Sequence, residues 1–389
     1  MEEKHKKILF VRTPPYDANF NNYNVQQIGM GKAFCEKGYD FDYITFKKKN
    51  QKEWCFYEYN DNKCYVIEKP RFRFFRTSFN KEICKSEYLR KYDLIISQEY
   101  YQIMTYFLAK NSSNVVMYSG PYWNLFHLKI TSWLYDILFT KRINNLIKIK
   151  FVKSQLAKEF LEKKGYSNVY NIGVALDVEK YIGVSITEDV LRLSEFMKKN
   201  RCLLYVGTLN RNKNLPFLLN LFESLLKKYP DLKLVLIGKS QQNVFNKISG
   251  KYSDSFFYKY LNKHSDLLKS NTIHIRSLPN SQLKFIYPNA SVFLLPSIHE
   301  IFGMVLLEAM YFKAPVVSSK NGGSVTLIKD DTYGQIINDY SIEQWSMAIS
   351  KYLNDPEYVN LVTNNSHNLV KNEYNWSYIV DQIIKKCNI

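Results

Sequence analysis

No stretch of this 389-residue chain holds the roughly 18 uninterrupted apolar residues of a membrane-spanning helix, so no such span is expected. Its six cysteines (Cys35, Cys55, Cys64, Cys84, Cys202 and Cys387) are scattered, with no Cys-x-x-Cys pair. That spacing supports neither a zinc site nor a disulfide framework, and it implies a reducing, cytoplasmic setting. The opening Met1-Glu2-Glu3-Lys4-His5-Lys6-Lys7 runs straight into the strand-like Ile8-Leu9-Phe10-Val11. It lacks the long apolar core and small-residue cleavage site of a secretory leader. There is no internal repeat, no low-complexity tract and no recognised nucleic-acid module, so nucleic acid is not an expected partner.

What is present is globular in character: 46% hydrophobic residues, 16% aromatic, and a length that suits two or three domains. The net charge of +18 is uneven, with 29 Lys/Arg against 17 Asp/Glu in residues 1–175 and 25 against 19 in the remainder. An anionic partner for the first half follows, and an anionic membrane surface fits better than nucleic acid. Lys69-Pro70-Arg71-Phe72-Arg73-Phe74-Phe75-Arg76 interleaves cations with aromatics, a composition that adheres to lipid headgroups. The stretch from Trp123 to Leu146 reads either as an interfacial helix or as a core helix, and the core reading is favoured.

Short apolar runs alternate with helix-length segments almost throughout. In the first half they are Lys7–Thr13, Phe41–Phe46, Asp93–Gln98, Asn114–Ser119, Ile149–Ser154 and Asn168–Gly173. In the second they are Cys202–Thr208, Lys233–Gly238, Ile273–Ser277, Val292–Pro296, Pro315–Ser319 and Gln335–Ile337. Apolar strands punctuated by helices imply parallel sheets covered on both faces, and two such series imply two doubly wound α/β domains. Trp376 to Ile389 reads as an amphipathic helix with Tyr378, Ile379, Ile383 and Ile384 on its apolar face.

The most informative segment follows the run Val292–Leu295. Glu300 sits in a short loop, Gly303 opens an apolar helical segment, and Glu308 lies inside that segment. A helix N-terminus offers unpaired N–H groups and a positive dipole end, which suits a phosphate. Two carboxylates beside a diphosphate would repel it unless they bond hydroxyls, as of a sugar or ribose. An ordinary strand-loop-helix unit with two solvated glutamates is the plainer alternative.

Ser-x-x-Glu-x-Phe-Gly-x-x-x-x-Glu-Ala-Met, spanning Ser297 to Met310, resembles the signature of the retaining glycosyltransferases of family 4, the glycosyl transferase group 1 domain. The resemblance extends over residues 200 to 340, through Leu204-Tyr205-Val206-Gly207-Thr208-Leu209, Lys213-Asn214, Leu234 to Gly238, Pro315-Val316-Val317 and Gly322-Gly323. It implies the GT-B fold: two Rossmann-like domains facing an interdomain cleft, 1–175 for the acceptor and 176–375 for a nucleotide sugar. Residues 376–389 would then be a helix crossing back to the first domain. Asn171 to Asp177 is similar to the family's connector.

The resemblance further implies that Glu308 binds ribose hydroxyls and that Glu300 contacts the donor sugar ring. Gly207, Thr208, Lys213, Ile301, Phe302, Gly303 and Met304 would complete the donor site. Lys213 would be catalytic, stabilising charge on the leaving diphosphate. Thr208 stands where the family usually has arginine, and Arg211 is the candidate for the missing charge. Thr326 stands where the family often has an acid, which leaves the donor's identity open. On the acceptor side, Asn21, Asn22 and Tyr23 form an asparagine-rich loop that either bonds a sugar or simply turns the chain. Tyr122 and Trp123 are placed to stack on sugar faces, and His127 is a lone histidine, more often structural than catalytic.

The implied reaction moves a hexose-type sugar, from a UDP-sugar for preference, to a glycan hydroxyl that is lipid-linked, in bacterial cell-surface polysaccharide or glycoconjugate synthesis. No metal and no cofactor are expected, and the protein would work on the inner face of the cell membrane. Two rivals are a non-catalytic GT-B partner subunit and a GT-B nucleotide-sugar isomerase using Glu99 and His127.

Overall fold

The structure, a computed structural model, describes residues 5–14, 17–18, 20, 25–48, 51–74, 77–126, 128–240, 243–246 and 251–389. It divides into two compact units: Met1–Asp177 with Tyr374–Ile389, and Val178–Glu373.

Unit 1 is built on β1 (Lys6–Val11), β2 (Tyr39–Lys47), β3 (Glu53–Tyr59), β4 (Asn62–Pro70), β5 (Phe72–Phe74), β6 (Thr77–Phe79), β7 (Leu94–Gln98), β8 (Val115–Ser119), β9 (Lys150–Val152) and β10 (Val169–Asn171). Eight of them form one sheet in the order β10-β9-β8-β7-β1-β2-β4-β3. All its pairings are parallel except the β3–β4 hairpin at one edge, and β5 and β6 form a separate antiparallel pair. The central strands are buried on both faces, which is why Ile8-Leu9-Phe10-Val11 reads as an unbroken apolar run.

The helix Trp376–Cys387 belongs to unit 1 and is started by Asn375, whose side chain accepts from the N–H of Tyr378. Its buried face is Trp376, Ile379, Val380 and Ile383, whereas Tyr378 is exposed, so the stripe is rotated from the expected one. It packs on the helix Gln26–Glu36, where a Cβ on Gly29 would lie 2.1 Å from the Trp376 indole nitrogen. Lys37 and Asp381 pair at 2.7 Å across the same contact.

Unit 2 carries β11 (Cys202–Val206), β12 (Lys233–Ile237), β13 (Asn243–Asn246), β14 (Lys251–Asp254), β15 (Thr272–Ile275), β16 (Val292–Leu295), β17 (Val316–Ser319) and β18 (Gln335–Ile337). Six of these make a wholly parallel sheet, β15-β12-β11-β16-β17-β18, and β13 pairs with β14 as a hairpin. The helix Leu215–Leu226 buries Leu218, Leu219, Leu221 and Phe222 against this sheet's core. Trp345 is fully buried in the same core, its indole N–H donating to the Asp339 carbonyl at 3.0 Å.

Each apolar run expected to be a strand is one, with ends shifted by a residue or two. β3, β4 and the two small hairpins were not anticipated. β3 mixes Glu53, Glu58 and aromatics on a half-exposed edge, so it has neither a continuous apolar run nor clean alternation.

Candidate active site

In unit 2 the sheet's carboxyl ends bring several loops together. β11 is followed by Gly207 and β12 by Gly238, and a Cβ on Gly238 would lie 1.8 Å from the Gly207 carbonyl oxygen. The two strand ends therefore pack backbone against backbone. The Tyr205 hydroxyl then donates to the Thr208 carbonyl at 3.0 Å, and the Leu209 N–H donates to the Lys239 carbonyl at 2.8 Å. Burial raises the Tyr205 phenol's pKa and the charge of Glu300 raises it further, so it stays a neutral donor.

The loop continues to Lys213, whose N–H donates to the Asn210 side chain at 2.8 Å, and to Asn214 in the left-handed region (φ 55°) just before the helix Leu215–Leu226. Asn tolerates that conformation better than most residues. Asn212 ties this loop to the one after β16: its side-chain amide donates to the His299 carbonyl at 2.9 Å, and its own carbonyl accepts from the Ile298 N–H at 2.8 Å. With the loops so joined, the ammonium of Lys213 meets the carboxylate of Glu300. The two side chains are 20% and 18% exposed, partly withdrawn from water and still within reach of a ligand.

Gly303 precedes the helix Met304–Tyr311 at φ 74°, and a Cβ there would lie 3.0 Å from Cγ of Glu300. A third loop supports the turn from behind. The Gly322 N–H donates to the Glu300 carbonyl at 3.1 Å, and a Cβ on Gly323 would lie 1.6 Å from the Phe302 carbonyl oxygen. Asn321 folds this third loop, accepting on its side-chain oxygen from the N–H groups of Gly323 and Ser324, both at 3.0 Å. Thr326, in the position where an acid was expected, is nearly buried and donates to the Gly322 carbonyl at 2.7 Å.

Glu308 is completely buried on the helix Met304–Tyr311. Its carboxylate accepts from the Asn280 side-chain amide at 3.2 and 3.3 Å and from the Tyr287 hydroxyl at 2.9 Å. A carboxylate so far from water requires such donors. Asn280 and Tyr287 went unnoticed in the sequence, since they sit in irregular 3-10 turns, Asn280–Phe285 and Tyr287–Asn289, that carry no periodic signal. Arg211 and Thr208 are exposed on the Lys213 loop.

In unit 1, Tyr122 and Trp123 are half-buried and meet edge to face, ring centroids 4.7 Å apart. Asn21, Asn22, Tyr23 and His127 lie outside the described residues. Beside these candidates is a cluster that the sequence only hinted at. Glu99 follows β7 with φ 72° and is buried, its carboxylate accepting from the Ser119 hydroxyl at 3.0 Å and the Gly120 N–H at 3.1 Å. Buried Lys153 faces the same group: burial lowers its pKa, the charge of Glu99 raises it, and that of Arg12 lowers it again.

Residues 189–376 match the model of the family described as glycosyl transferases group 1. An uncharacterized glycosyltransferase of Methanocaldococcus jannaschii is 25% identical over 184 residues, which are 47% of this chain and 44% of that protein. The chain spans about half the length of the first curated relatives it matches. Among solved structures, sucrose-phosphate synthase from Thermosynechococcus elongatus superposes over 98% of both chains with a TM-score of 0.67 at 18% identity. The Anabaena protein Alr3699/HepE, in complex with UDP and glucose, superposes over 99% of this chain and 100% of its own, with a TM-score of 0.66 at 14% identity. Such likeness over the whole chain fixes the architecture as GT-B, two Rossmann-like domains.

Proposed function

We propose that this protein is a retaining glycosyltransferase that moves a hexose-type sugar from a UDP-sugar to a hydroxyl of a lipid-linked glycan. It would serve cell-surface polysaccharide or glycoconjugate synthesis from the inner face of the cell membrane. The observation that carries this reading is the Lys213–Glu300 ion pair, held where the Glu300 loop is hydrogen-bonded to the loops on either side of it, at the N-terminus of the helix that contains Glu308. A cation, a carboxylate beside it, a helix N-terminus and a buried carboxylate are the groups that a diphosphate-linked sugar needs.

When the donor enters, Lys213 exchanges part of its contact with Glu300 for the diphosphate. Negative charge grows there as the bond to the sugar breaks, so this contact strengthens in the transition state. Glu300 is then free to accept from the hydroxyls of the sugar ring. Main-chain N–H groups from Phe302 to Met304 take the phosphates, and Glu308, fixed by Asn280 and Tyr287, takes the ribose hydroxyls. Arg211 adds positive charge from the same loop. In this reading charge neutralisation falls to these groups and no metal ion is invoked. The UDP preference draws on the UDP and glucose bound by the Anabaena relative in fold. Acceptor binding is assigned to unit 1, with Tyr122 and Trp123 stacking on sugar faces.

A partner subunit without catalysis would have no reason to keep Lys213, Glu300 and Glu308 together. An isomerase would need an acid/base group, and Glu99 is bonded on its carboxylate by Ser119 and Gly120. The test is a panel of nucleotide sugars assayed for slow release of the nucleoside diphosphate. Release from one UDP-sugar supports the transferase reading and names the donor. Conversion of a nucleotide sugar to an isomer without release would replace it.

A further inference from the structure

We infer that the outward face of the helical stretch Leu128 to Leu146 is the surface by which unit 1 lies on an anionic lipid bilayer. The inference rests on the peripheral-membrane part of the proposed function and gives it an address. The stretch runs through the helix Lys129–Tyr135, a π turn Asp136–Thr140 and the helix Lys141–Leu146. Its inner face is core: Ser132, Tyr135, Thr140 and Ile143 are buried, and the Tyr135 hydroxyl donates to the Tyr100 carbonyl at 2.7 Å.

The opposite face is equally apolar and open to solvent. Ile130, Trp133 and Ile137 are 56%, 57% and 58% exposed, with Leu128, Leu134 and Leu138 beside them. The spacing of 130, 133, 134, 137 and 138 follows one side of a helix. Elsewhere among the described residues, large exposed apolar side chains occur singly along the chain, as on any protein surface. A continuous stripe is different and marks an interaction site.

The charges around the stripe select the partner. Lys129 precedes it and Lys141, Arg142 and Lys148 follow it, all exposed. The one acid in the stretch, Asp136, is paired with Lys164. Unit 1 as a whole has 31 Lys/Arg against 19 Asp/Glu. Apolar side chains flanked by cations suit a helix lying in the plane of an anionic membrane, with Trp133 at the headgroup level. A second copy on this face would instead bring two strongly cationic units together. Among the described residues no helix is long and apolar enough to cross a bilayer, so the stretch lies on the membrane rather than through it.

The basic run from Lys69 to Arg76 is less available. Lys69 pairs with Glu82 at 3.9 Å, Arg71 pairs with Asp17 at 2.8 Å and donates to the Phe46 carbonyl, and Phe75 and Arg76 lie outside the described residues. The favoured core reading of Trp123 to Leu146 therefore holds for one face only.

The experiment uses the full chain and vesicles of phosphatidylcholine, with and without phosphatidylglycerol. Wild type should sediment with the anionic vesicles, and its Trp133 emission, taken as the difference from Trp133→Phe, should shift to the blue. Trp133→Ser/Ile137→Ser should lower that partition roughly tenfold or more. Lys141→Glu/Arg142→Glu should abolish the preference for anionic vesicles. Both variants should keep the wild-type melting temperature and the wild-type nucleotide-sugar hydrolysis in vesicle-free buffer. Wild type that ignores anionic vesicles, or a Trp133→Ser/Ile137→Ser variant that sediments as wild type does, overturns the inference. So does a dimer of the wild type that this variant turns into a monomer while vesicle binding is unchanged. Hydrolysis absent from wild type and variants alike would overturn the transferase reading and leave the vesicle result intact.

Discussion

The ammonium of Lys213 and the carboxylate of Glu300, 87 residues apart in sequence, form an ion pair across two loops that are themselves hydrogen-bonded. In the ligand-free protein each neutralises the other. In the proposed reading a diphosphate would compete for the lysine and sugar hydroxyls for the glutamate, so that one binding event would satisfy both.

Lys213 is accordingly expected to matter more for turnover than for ground-state affinity. Lys213→Ala should lower kcat by roughly a hundredfold to a thousandfold, the usual effect of losing one preorganised donor to developing charge. The dissociation constant for bare UDP should move much less. Adding Arg211→Ala should make turnover worse than either single change. Steady-state kinetics and calorimetry decide the matter, and a Lys213→Ala enzyme with wild-type kcat would refute the assignment.

Glu308→Ala removes a buried acceptor and leaves Asn280 and Tyr287 without it. Loss of about 1–3 kcal/mol in nucleotide affinity is expected, the usual consequence of an unpaired buried partner. Tyr287→Phe should have a smaller effect, about 0.5–1.5 kcal/mol, by loosening Glu308. Titration calorimetry with UDP checks both, and unchanged affinity in Glu308→Ala would end the ribose assignment.

Gly323 supports the Glu300 turn by close approach of backbone to backbone. Gly323→Ala places a methyl group 1.6 Å from the Phe302 carbonyl oxygen, so the turn must move. Destabilisation of about 1–3 kcal/mol is expected from such overpacking, together with weaker donor binding. Denaturant unfolding and UDP titration of the same variant measure the two effects. A variant as stable and as tight-binding as wild type would show that the third loop does not set the site.

Stability should also report the anchoring of Glu223. Its carboxylate accepts from the Ser265 N–H at 2.8 Å and meets His264 Nδ1 at 2.7 Å. Those bonds, the backbone one first, hold its pKa down at about 2 from an ordinary 4.5. A depressed carboxylate stabilises fully above its unfolded value, and that contribution fades as pH falls from 4.5 toward 2. The gap in melting temperature between wild type and Glu223→Gln should therefore be widest near neutrality and narrow below pH 4.5. A constant gap down the acid range would contradict this.

The sheets were legible because parallel strands buried on both faces must be written as apolar runs, as in Ile8 to Val11 and Leu203 to Val206. The edge hairpin β3–β4 was not, since one of its sides faces water and polar residues interrupt it. The loops of the candidate site were legible through Glu300, Gly303, Glu308 and Lys213, whose order along the chain resembles a family signature. Asn212, Asn280 and Tyr287 were not, because each acts through one hydrogen bond or a few made far away in sequence, and Asn321 was not, because its bonds to Gly323 and Ser324 shape a short loop that carries no periodic signal. The exposed side of the stretch from Leu128 to Leu146 was hidden for another reason: composition shows how apolar a helix is, and only packing shows which of its faces is covered.

The most direct test of the donor site pairs two measurements on one variant, Glu300→Gln. The amide keeps an acceptor oxygen but loses the charge that makes such bonds roughly twice as strong. Sugar transfer with the true donor should fall sharply while affinity for bare UDP stays near wild type, since the proposed site puts Glu300 on the sugar and Glu308 on the nucleotide. A parallel fall in both would make Glu300 a prop for the loop, and no fall in either would contradict the donor site itself.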